Sequence, residues 1–297
     1  MNKPKAWIVT TVFNRFKTLQ RYFDCLAAQD YDNFSLVLVD HGDENVTDNL
    51  SLPNNTILLK SSPEKWWTAA VNVALDYLLN NIKVPDSDLI ILQNDDSTFG
   101  PTFIGSLVKI AVQEKAVIGS VAIDRRTKRI LHANLQFVPV AAKYKYCHYG
   151  EDLSALNEGN LLKSDVLKGR GVVYPVEIVR RIGFLEERLP QYKSDHEWSN
   201  RAKRYGFEVY VTSQAITETV IDTQERMNKK HPLKQFWKLL FGIRSTSNLQ
   251  DSFYYFTICY GKTLGFYLFF VSSIRTIVVS FLQMIKSFII RSNTLKG

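Results

Sequence analysis

The stretch 89–97 constrains the fold most, because four apolar residues with strand character end abruptly in Gln93-Asn94-Asp95-Asp96. A continuous apolar run is typical of a strand buried on both faces of a parallel sheet. Open α/β sheets bind their ligands at the carboxyl ends of such strands. Adjacent carboxylates repel each other unless a cation or a proton lies between them, and oxygen ligands suit Mg2+ or Mn2+. The stretch therefore predicts a metal site for a phosphorylated ligand or, alternatively, a solvated acidic turn that caps the next helix.

Strands and helices alternate on both sides of this stretch. Before it, the pattern predicts strands at 6–12, 34–39 and 56–59, and helices at 18–29 and 66–79. After it, the pattern predicts a helix at 103–113, a strand at 116–123, antiparallel strands within 129–162, helices at 172–182 and 195–205, and a strand at 207–211. This order predicts an α/β fold with a mostly parallel, Rossmann-like sheet flanked by helices.

Composition and cysteine content place the chain in a broad class. Of its 297 residues, 45% are hydrophobic and 22% are charged, which is typical of a globular protein rather than a disordered one. The three cysteines form neither a metal-binding spacing nor an even-numbered disulfide framework, which favours a reducing compartment. Residues 1–5 lead into the first strand without the apolar segment of a signal peptide. We therefore expect a cytoplasmic protein.

The positive charge is concentrated near the carboxyl terminus. Residues 224–297 contain 11 Lys and Arg against 2 Asp and Glu, whereas the net charge of the whole chain is +8. We expect a catalytic α/β domain at 1–225 and a basic, aromatic, all-helical segment at 226–297. A basic segment can bind nucleic acid or an anionic membrane, and its many aromatic and aliphatic residues favour the membrane over nucleic acid.

The apolar runs of this segment predict how it meets the membrane. Residues 264–274 form one such run, which Arg275 interrupts, and Lys286 interrupts the next. Neither run reaches the roughly 20 uninterrupted residues of a spanning helix. Basic, aromatic, amphipathic helices of this kind lie in the membrane interface. The sequence predicts peripheral binding on the inner face of the cell membrane, and a true span remains the alternative, since one Arg is tolerated at a cost of about 3 kcal/mol.

Seven short motifs occur in a fixed order along residues 5–222. The first four are 10–15 (Thr-Thr-Val-Phe-Asn-Arg), Asp40, 66–72 (Trp-Trp-Thr-Ala-Ala-Val-Asn) and 94–96 (Asn-Asp-Asp). The other three are 169–175 (Gly-Arg-Gly-Val-Val-Tyr-Pro), 182–187 (Ile-Gly-Phe-Leu-Glu-Glu) and 192–198 (Tyr-Lys-Ser-Asp-His-Glu-Trp). Each motif alone is weak, but their joint order resembles the family 2 glycosyltransferases of GT-A fold, and rhamnosyltransferase-like members in particular.

The resemblance implies an inverting glycosyltransferase of the hexosyltransferase type. Its donor would be a UDP- or dTDP-linked sugar, and its acceptor a hydroxyl of a glycan or lipid-linked glycan. A membrane-bound acceptor would also account for the basic helical segment. The implied setting is cell-surface polysaccharide synthesis, such as that of O-antigen or capsule.

The resemblance also implies roles for the acidic residues. Asp96 matches the last metal-binding acid of the family, so it would hold Mg2+ or Mn2+ against the donor diphosphate, with Asp95 near the sugar or ribose. Asp195 matches the general base that takes the acceptor's proton. From the sequence alone, an Asp that precedes a helix is more often its N-cap, and this remains the alternative role of Asp195.

Further residues match the family's substrate-binding positions. Donor binding is implied for Thr11, Asn14, Arg15, Asp40, Trp67 and Asn72. Contact with the diphosphate or the acceptor is implied for Arg170, Gly171 and Glu197. Asn14 is also explained as a helix cap, Trp67 as core packing, and Arg170 as a solvated loop residue.

Two departures from the family pattern leave alternatives open. Asn94 stands where the family has its first metal-motif acid, and residues 216–219 lack the metal-binding His that many relatives carry after the last strand. A sugar-phosphate nucleotidyltransferase would use a similar α/β half, but it would need a glycine-rich loop after the first strand, and residues 11–15 contain no glycine. The non-catalytic alternative is a membrane-tethered protein that binds a nucleotide sugar without turnover.

Overall fold

A mostly parallel β-sheet forms the centre of the computed structural model, which describes residues 3–44, 46–156, 161–220 and 232–294. Within these residues the strands are β1 (Ala6–Val12), β2 (Phe34–Asp40), β3 (Thr56–Lys60), β4 (Leu89–Leu92), β5 (Thr98–Phe99), β6 (Val117–Asp124), β7 (Ile130–His132), β8 (Leu135–Val138), β9 (Lys143–Tyr146), β10 (Leu161–Lys163), β11 (Val172–Pro175) and β12 (Val209–Thr219). The described part of the sheet has ten strands, and β8 and β9 pair separately.

The strand β4 lies inside the sheet, between β1 and β11. The order of strands is β10-β12-β6-β11-β4-β1-β2-β3, with β5 beside β12 and β7 beside β6. The strands β1 to β4 run parallel to one another, whereas β11 runs antiparallel between β4 and β6. All four residues of β4 are buried, which agrees with the continuous apolar run in the sequence.

Helices cover both faces of the sheet. Their bounds are α1 (Phe16–Ala27), α2 (Trp67–Asp76) with a π-helical turn at Tyr77–Ile82, α3 (Phe103–Glu114), α4 (Val176–Ile182), α5 (Ser194–Arg204), α6 (Pro232–Phe241), α7 (Leu249–Tyr260) and α8 (Lys262–Thr294). Because side chains alternate along a strand, Trp7 and Val9 pack in the core beneath α2, α4 and α5. The intervening Ala6 and Ile8 pack in the opposite core, beneath α1 and α3.

The predicted α/β fold with a mostly parallel sheet is confirmed. The strands predicted at 6–12, 34–39 and 56–59 correspond to β1, β2 and β3 within one residue. The described part of 129–162 forms antiparallel pairs, as the change in sequence pattern predicts. All helices described beyond residue 231 belong to the segment predicted to be helical.

Two predicted elements were wrong in type or length. The sequence pattern predicts one helix over 172–182, whereas Val172–Pro175 forms β11 and only Val176–Ile182 is helical. Two adjacent valines favour the strand, and Pro175 fits the position directly before a helix. The final strand extends over Val209–Thr219 instead of 207–211, through an irregularity between Thr212 and Ile216.

The C-terminal helices pack against the α/β part through an aromatic cluster. Tyr255 and Phe256 of α7 lie in this cluster with Leu189, which precedes α5, and Leu268 of α8. The predicted boundary near residue 225 lies outside the described residues, so it stays a prediction. By length and composition, the stretch Lys262–Ile285 of α8 is long and apolar enough to cross a bilayer. Of its most apolar 18 residues, 22% are buried within the protein.

Candidate active site

The paired acids lie directly beyond β4 and face two arginines. Asp95 is 5% exposed. Arg15, from the loop after β1, lies 3.2 Å from Asp95 Oδ1 and 3.5 Å from Asp96 Oδ2. Arg170 lies 3.5 Å from Asp96 Oδ1 on the other side. The carboxyl ends of β1 and β4 therefore meet at a site where two guanidinium groups face two acidic side chains.

Arg170 reaches this site because its turn is bonded to the end of β4. Gly171 N donates to Leu92 O at 2.9 Å, and Ser120 N donates to Gly171 O at 2.8 Å. Gly171 has φ +69°, and a Cβ there would lie 2.3 Å from Ser120 Oγ. A glycine is therefore required by both the conformation and the space. The predicted contact of Gly171 with substrate is untested, and its structural role is to bring Arg170 beside Asp96.

Asp195 binds the same turn at Gly169, the residue before Arg170. Its Oδ2 accepts from Gly169 N at 2.8 Å, and its Oδ1 accepts from His196 N at 2.8 Å. A Cβ on Gly169 would lie 2.7 Å from Trp67 and 3.5 Å from the Asp195 Cβ. Gly169 therefore lies in contact with both Asp195 and the indole of Trp67. Asp195 does not cap α5 in the usual way, since Lys193 occupies the N-cap position.

Burial disfavours the charged form of the Asp95 carboxyl group. It raises the pKa of Asp95 to about 7, although the positive charge of Arg15 opposes the rise, and the negative charge of Asp96 adds to it. The buried Asp95 Oδ2 has no hydrogen-bond partner. Asp96 is more exposed, with 32% of its side chain accessible. Within the described residues, the two acids thus have three contacts to arginines, at 3.2–3.5 Å, and one Asp95 oxygen that no protein group satisfies.

These acids fit a divalent cation held partly by substrate. Within the described ranges, no group of three His, Cys, Asp or Glu residues is arranged to hold a metal. Mg2+ is nevertheless usually bound through one or two carboxylates together with substrate phosphates and water. The more exposed Asp96, supported by buried Asp95 with its unpartnered oxygen, matches that arrangement. Glu218 of β12, in the region that lacks the family's His, forms an ion pair with Lys128 at 2.8 Å.

Asp40 lies at the end of β2 in a network within the protein. Its Oδ2 accepts from Thr47 at 2.6 Å and from Lys60 at 3.0 Å, and its Oδ1 accepts from Gly42 N at 3.1 Å. Burial alone would raise the pKa of Asp40, but the bonds from Thr47 and Lys60 hold it below the usual range. Asp40 is therefore an anchored carboxylate at the same sheet edge as Val12, its neighbour in the parallel register.

The remaining donor positions of the first loop lie beside Asp40. Thr11 is buried near the end of β1, at 8% exposure. Asn14 has φ +52° and accepts from Asp43 N at 3.1 Å and Glu44 N at 3.2 Å. It joins two loops rather than capping α1, whose N-cap residue is Arg15. Donor contacts of Thr11 and Asn14 stay predictions.

Two predicted ligand contacts fall on side chains already engaged within the protein. The Asn72 amide donates to Leu185 O at 2.9 Å and to Glu187 at 3.0 Å, so both of its N–H donors are used. Glu197 is 1% exposed and forms a two-point ion pair with Arg201. Both side chains stabilise the loop that leads to Asp195, and direct substrate contact remains untested for them.

Ser120 and Thr217 support the site although the sequence motifs did not indicate them. Ser120 Oγ donates to Arg170 O at 3.1 Å and lies 3.0 Å from Thr217 Oγ1. These hydroxyls lie on neighbouring parallel strands, β6 and β12, beneath the Arg170 turn. The sequence does contain a signal for Ser120, because Gly119-Ser120 interrupts an apolar strand. A polar residue inside a buried strand requires a hydrogen-bond partner.

Comparison with known proteins agrees with this architecture. The family model described as glycosyltransferase-like family 2 matches residues 4–239. The structure of GalNAc-T7 with UDP, GalNAc and Mn2+ is 12% identical, with a TM-score of 0.58, over 74% of this chain and 44% of that one. The mannosyltransferase PcManGT from Pyrobaculum calidifontis, in complex with GDP-Man and Mn2+, is 11% identical, with a TM-score of 0.55, over 95% of this chain and 74% of that one. The chain therefore spans less than half the length of GalNAc-T7. No curated protein matches the sequence significantly.

Gly171→Ala should destabilise the protein more than a similar substitution in open space. Gly150 is the matched control, since it also has positive φ, and a Cβ there would meet nothing within 4 Å. Both substitutions strain the backbone, but only the methyl group added at position 171 would also clash with Ser120. Chemical denaturation should show an additional loss of about 1–3 kcal/mol for Gly171→Ala, the usual range for overpacking. Equal losses in the two variants would show that Ser120 yields freely and that the turn is loosely packed.

The unfolding free energy of the metal-free protein should fall as pH rises from 4 to 7. In that window the unfolded Asp95 carboxyl has lost its proton, whereas the folded one, with its pKa near 7, retains it. The unfolded state then binds fewer protons, so stability decreases by on the order of 4 kcal/mol over the window. Asp95→Asn should lack this component when denaturation is measured across the same pH range. Parallel pH profiles for the two proteins would refute the assignment.

Proposed function

The chain belongs to the glycosyltransferase-like family 2, and we propose that it transfers a sugar from a nucleoside-diphosphate donor to a glycan hydroxyl with inversion. The observation that carries this proposal is a continuous chain of contacts from Asp96 to Asp195. Arg170 contacts Asp96, and the adjacent Gly169 N–H donates to Asp195. One short turn therefore joins the acid suited to the donor diphosphate to the acid suited to the acceptor.

Asp195 is the general base in this proposal. Two backbone N–H groups, of Gly169 and His196, donate to its oxygens and fix the orientation of the carboxyl group. The acceptor hydroxyl gives its proton to Asp195 while its oxygen bonds to the anomeric carbon. The bond from that carbon to the phosphate oxygen breaks, and the nucleoside diphosphate leaves with the electron pair. Attack opposite the leaving group inverts the anomeric configuration.

The arginines and Asp96 serve the leaving diphosphate. Arg170 has a buried Nε without a partner and a long contact to Asp96, so it can reorient toward phosphate oxygens. Arg15, whose side chain is half exposed, can do the same from the opposite side. Asp96, with Asp95 in support, would hold Mg2+ or Mn2+, which would supply positive charge against the leaving diphosphate.

Thr11, Asn14 and Asp40 lie on the side of the site where the donor's base and ribose would bind. These positions surround the carboxyl ends of β1 and β2, next to β4. Because the Asp40 side chain is 1% exposed, binding of a nucleobase N–H by its carboxylate requires the donor to rearrange the bonds from Thr47 and Lys60. We propose a UDP- or dTDP-linked hexose as donor, in an enzyme of the rhamnosyltransferase-like type.

We further propose that α6 and α8 seat the enzyme on the cytoplasmic face of the cell membrane. Phe270 and Leu282 of α8 are 64% and 58% exposed, and Trp237 of α6 is 54% exposed. A helix with such an apolar surface and flanking basic residues binds in the membrane interface. Arg275 lies 3.4 Å from Ala142 O of the catalytic part, which favours a helix lying along the protein over one crossing the bilayer. The acceptor would then be a lipid-linked glycan in surface polysaccharide synthesis.

The proposed function is tested by donor turnover. The protein is incubated with UDP-, dTDP- and GDP-sugars, with Mn2+ or with chelator, and the released nucleoside diphosphate is measured. One nucleotide class should give metal-dependent release. Asp195→Asn should reduce turnover by about 10²–10⁴-fold, the usual contribution of a general base, with nucleotide binding retained. Asp96→Ala should lose the metal dependence.

The matched control is Asp76→Asn, which changes an exposed acid on α2 that bonds to Asn80 on the same helical stretch. It should keep wild-type turnover. Full activity of Asp195→Asn would show that another group is the base, and binding without turnover in the wild type would support the non-catalytic alternative. Absence of turnover and of binding with every nucleotide sugar would refute the proposed function.

Membrane binding is tested with phosphatidylglycerol vesicles. The protein should float with them, and the double variant Phe270→Asp, Leu282→Asp should bind at least about tenfold more weakly, since each buried apolar side chain contributes about 1.5–3 kcal/mol. Val112→Asp is the control, because Val112 is half exposed on α3, away from these helices. Salt-sensitive DNA binding without vesicle binding would contradict the proposal.

A further inference from the structure

The turn before Asp195 is held by α7, a helix outside the α/β part. Lys193, two residues before Asp195, donates through Nζ to Ser252 Oγ at 2.9 Å and reaches Asn248 O at 3.5 Å. Lys193 O in turn accepts from Glu197 N at 2.8 Å, which begins the hydrogen bonding of α5. The side chain and backbone of one residue thus connect α7 to the first turn of the helix that carries Asp195.

The first turn of α7, which binds Lys193, is held by hydrogen bonds of its own. Asn248 Oδ1 accepts from Gln250 N at 2.8 Å and from Asp251 N at 3.1 Å, which caps the helix. Ser252 Oγ donates to Asn248 O at 2.8 Å, so its lone pair remains for Lys193. Asp251 is 3% exposed, and its Oδ2 has no hydrogen-bond partner.

The charge arrangement explains how an ammonium is held there. A helix N-terminus carries partial positive charge and disfavours a cation. Burial lowers the pKa of Lys193 to about 8, and the carboxylate of Asp251 opposes that change. Asp251 therefore compensates both the helix terminus and the burial of Lys193. A buried charge that is held in this way is weak evidence for stability alone, and its better supported use is to fix one arrangement.

The backbone of Lys193 needs such a restraint. It has φ +70° and ψ −10°, in the left-handed region that favours glycine. A non-glycine residue remains in that region when its surroundings determine it, and such residues cluster at functional sites. Thr68 Oγ1 holds the next residue, Ser194, at 2.7 Å from the other side. Release of the Lys193 side chain would let the turn relax and shift Asp195 away from Gly169 N.

We propose that Lys193 is a positioning residue, through which α7 holds the turn so that Asp195 faces the acceptor hydroxyl. This inference rests on the proposed function, since it concerns the base of that reaction. The helix α7 also packs along α8, so the support of the base is continuous with the surface proposed to meet the membrane. The C-terminal helices are then part of the catalytic apparatus as well as an anchor.

The test compares variants of the full-length protein on vesicles. Lys193→Met keeps the length of the side chain and removes its charge, Ser252→Ala removes one acceptor, and Lys193→Arg is the conservative variant. Lys203→Met is the matched control, since it removes a lysine on α5 that pairs with Asp165 at 2.6 Å. Hydrolysis of the UDP-, dTDP- or GDP-sugar that the wild type turns over gives kcat and KM, and the corresponding nucleoside diphosphate gives Kd.

Lys193→Met should lower kcat by about 10²-fold, the effect of a small misplacement, with KM and nucleotide Kd within about twofold. Ser252→Ala should lower kcat less, Lys193→Arg should restore most of it, and Lys203→Met should leave it unchanged. An unchanged kcat in folded Lys193→Met, or an equal loss in Lys203→Met, would overturn the proposal. If Lys193→Met does not fold, Ser252→Ala decides by the same criteria.

Hydrogen exchange provides a measurement that does not depend on activity. The amide of Gly169, bonded to Asp195, should exchange at least about tenfold faster in Lys193→Met than in the wild type, and at the wild-type rate in Lys203→Met. If the wild type neither turns over nor binds any donor, the proposed function fails, and exchange at Gly169 alone decides the positioning role. Equal exchange rates in the three proteins would then overturn it.

Discussion

Two adjacent carboxylates at the end of a buried strand set the main physical constraint on this protein. Asp95 and Asp96 follow β4, where Asp95 is almost completely buried, and such a pair requires a proton or a nearby positive charge. Arg15 arrives from the loop after β1, and Arg170 arrives from the turn before β11. Because β1 runs parallel to β4, its carboxyl end lies beside the acids. Because β11 runs antiparallel to β4, its amino end lies there too, so both guanidinium groups reach the acids.

The insertion of β11 also connects the two halves of the site. Because β11 lies next to β4, the turn that precedes it must pass the carboxyl end of the central strand. Gly171 allows that close approach, Arg170 contacts Asp96, and Gly169 N–H binds Asp195. Asp96 and Asp195 are therefore connected through one turn, residues 169–171. The helix α7 binds Lys193, which lies two residues before Asp195.

Most of the fold was predictable from local sequence patterns. The strand β4, its acids and the alternation of strands and helices follow from apolar runs and their spacing, which depend on neighbours in the sequence. The strand β11 was not predictable in this way, because the eleven residues at 172–182 fit a single helix as well as a strand followed by a helix. Pairing with both β4 and β6 stabilises the strand conformation at 172–175, and these partners are present only in the assembled sheet.

The site was predictable in position more than in detail. The sequence placed Asp95 and Asp96 at the carboxyl end of the central strand and assigned Arg170 and Asp195 to the same site, and the structure brings Arg170 to Asp96 and the adjacent Gly169 to Asp195. They did not indicate that Lys60 would anchor Asp40 or that α7 would hold Lys193, since these partners lie 20 and 59 residues apart in the sequence. Such contacts depend on tertiary packing, and no local pattern encodes them.

Our central claim is that the acids beyond β4 form the site of the donor diphosphate. A crystal structure with UDP or dTDP and Mn2+ tests it most directly. We expect the metal on Asp96, phosphate oxygens within about 3 Å of Arg170, and the nucleoside beside Asp40. A nucleotide bound elsewhere, with Arg15 and Arg170 still on the two carboxylates and no metal at Asp96, would contradict it.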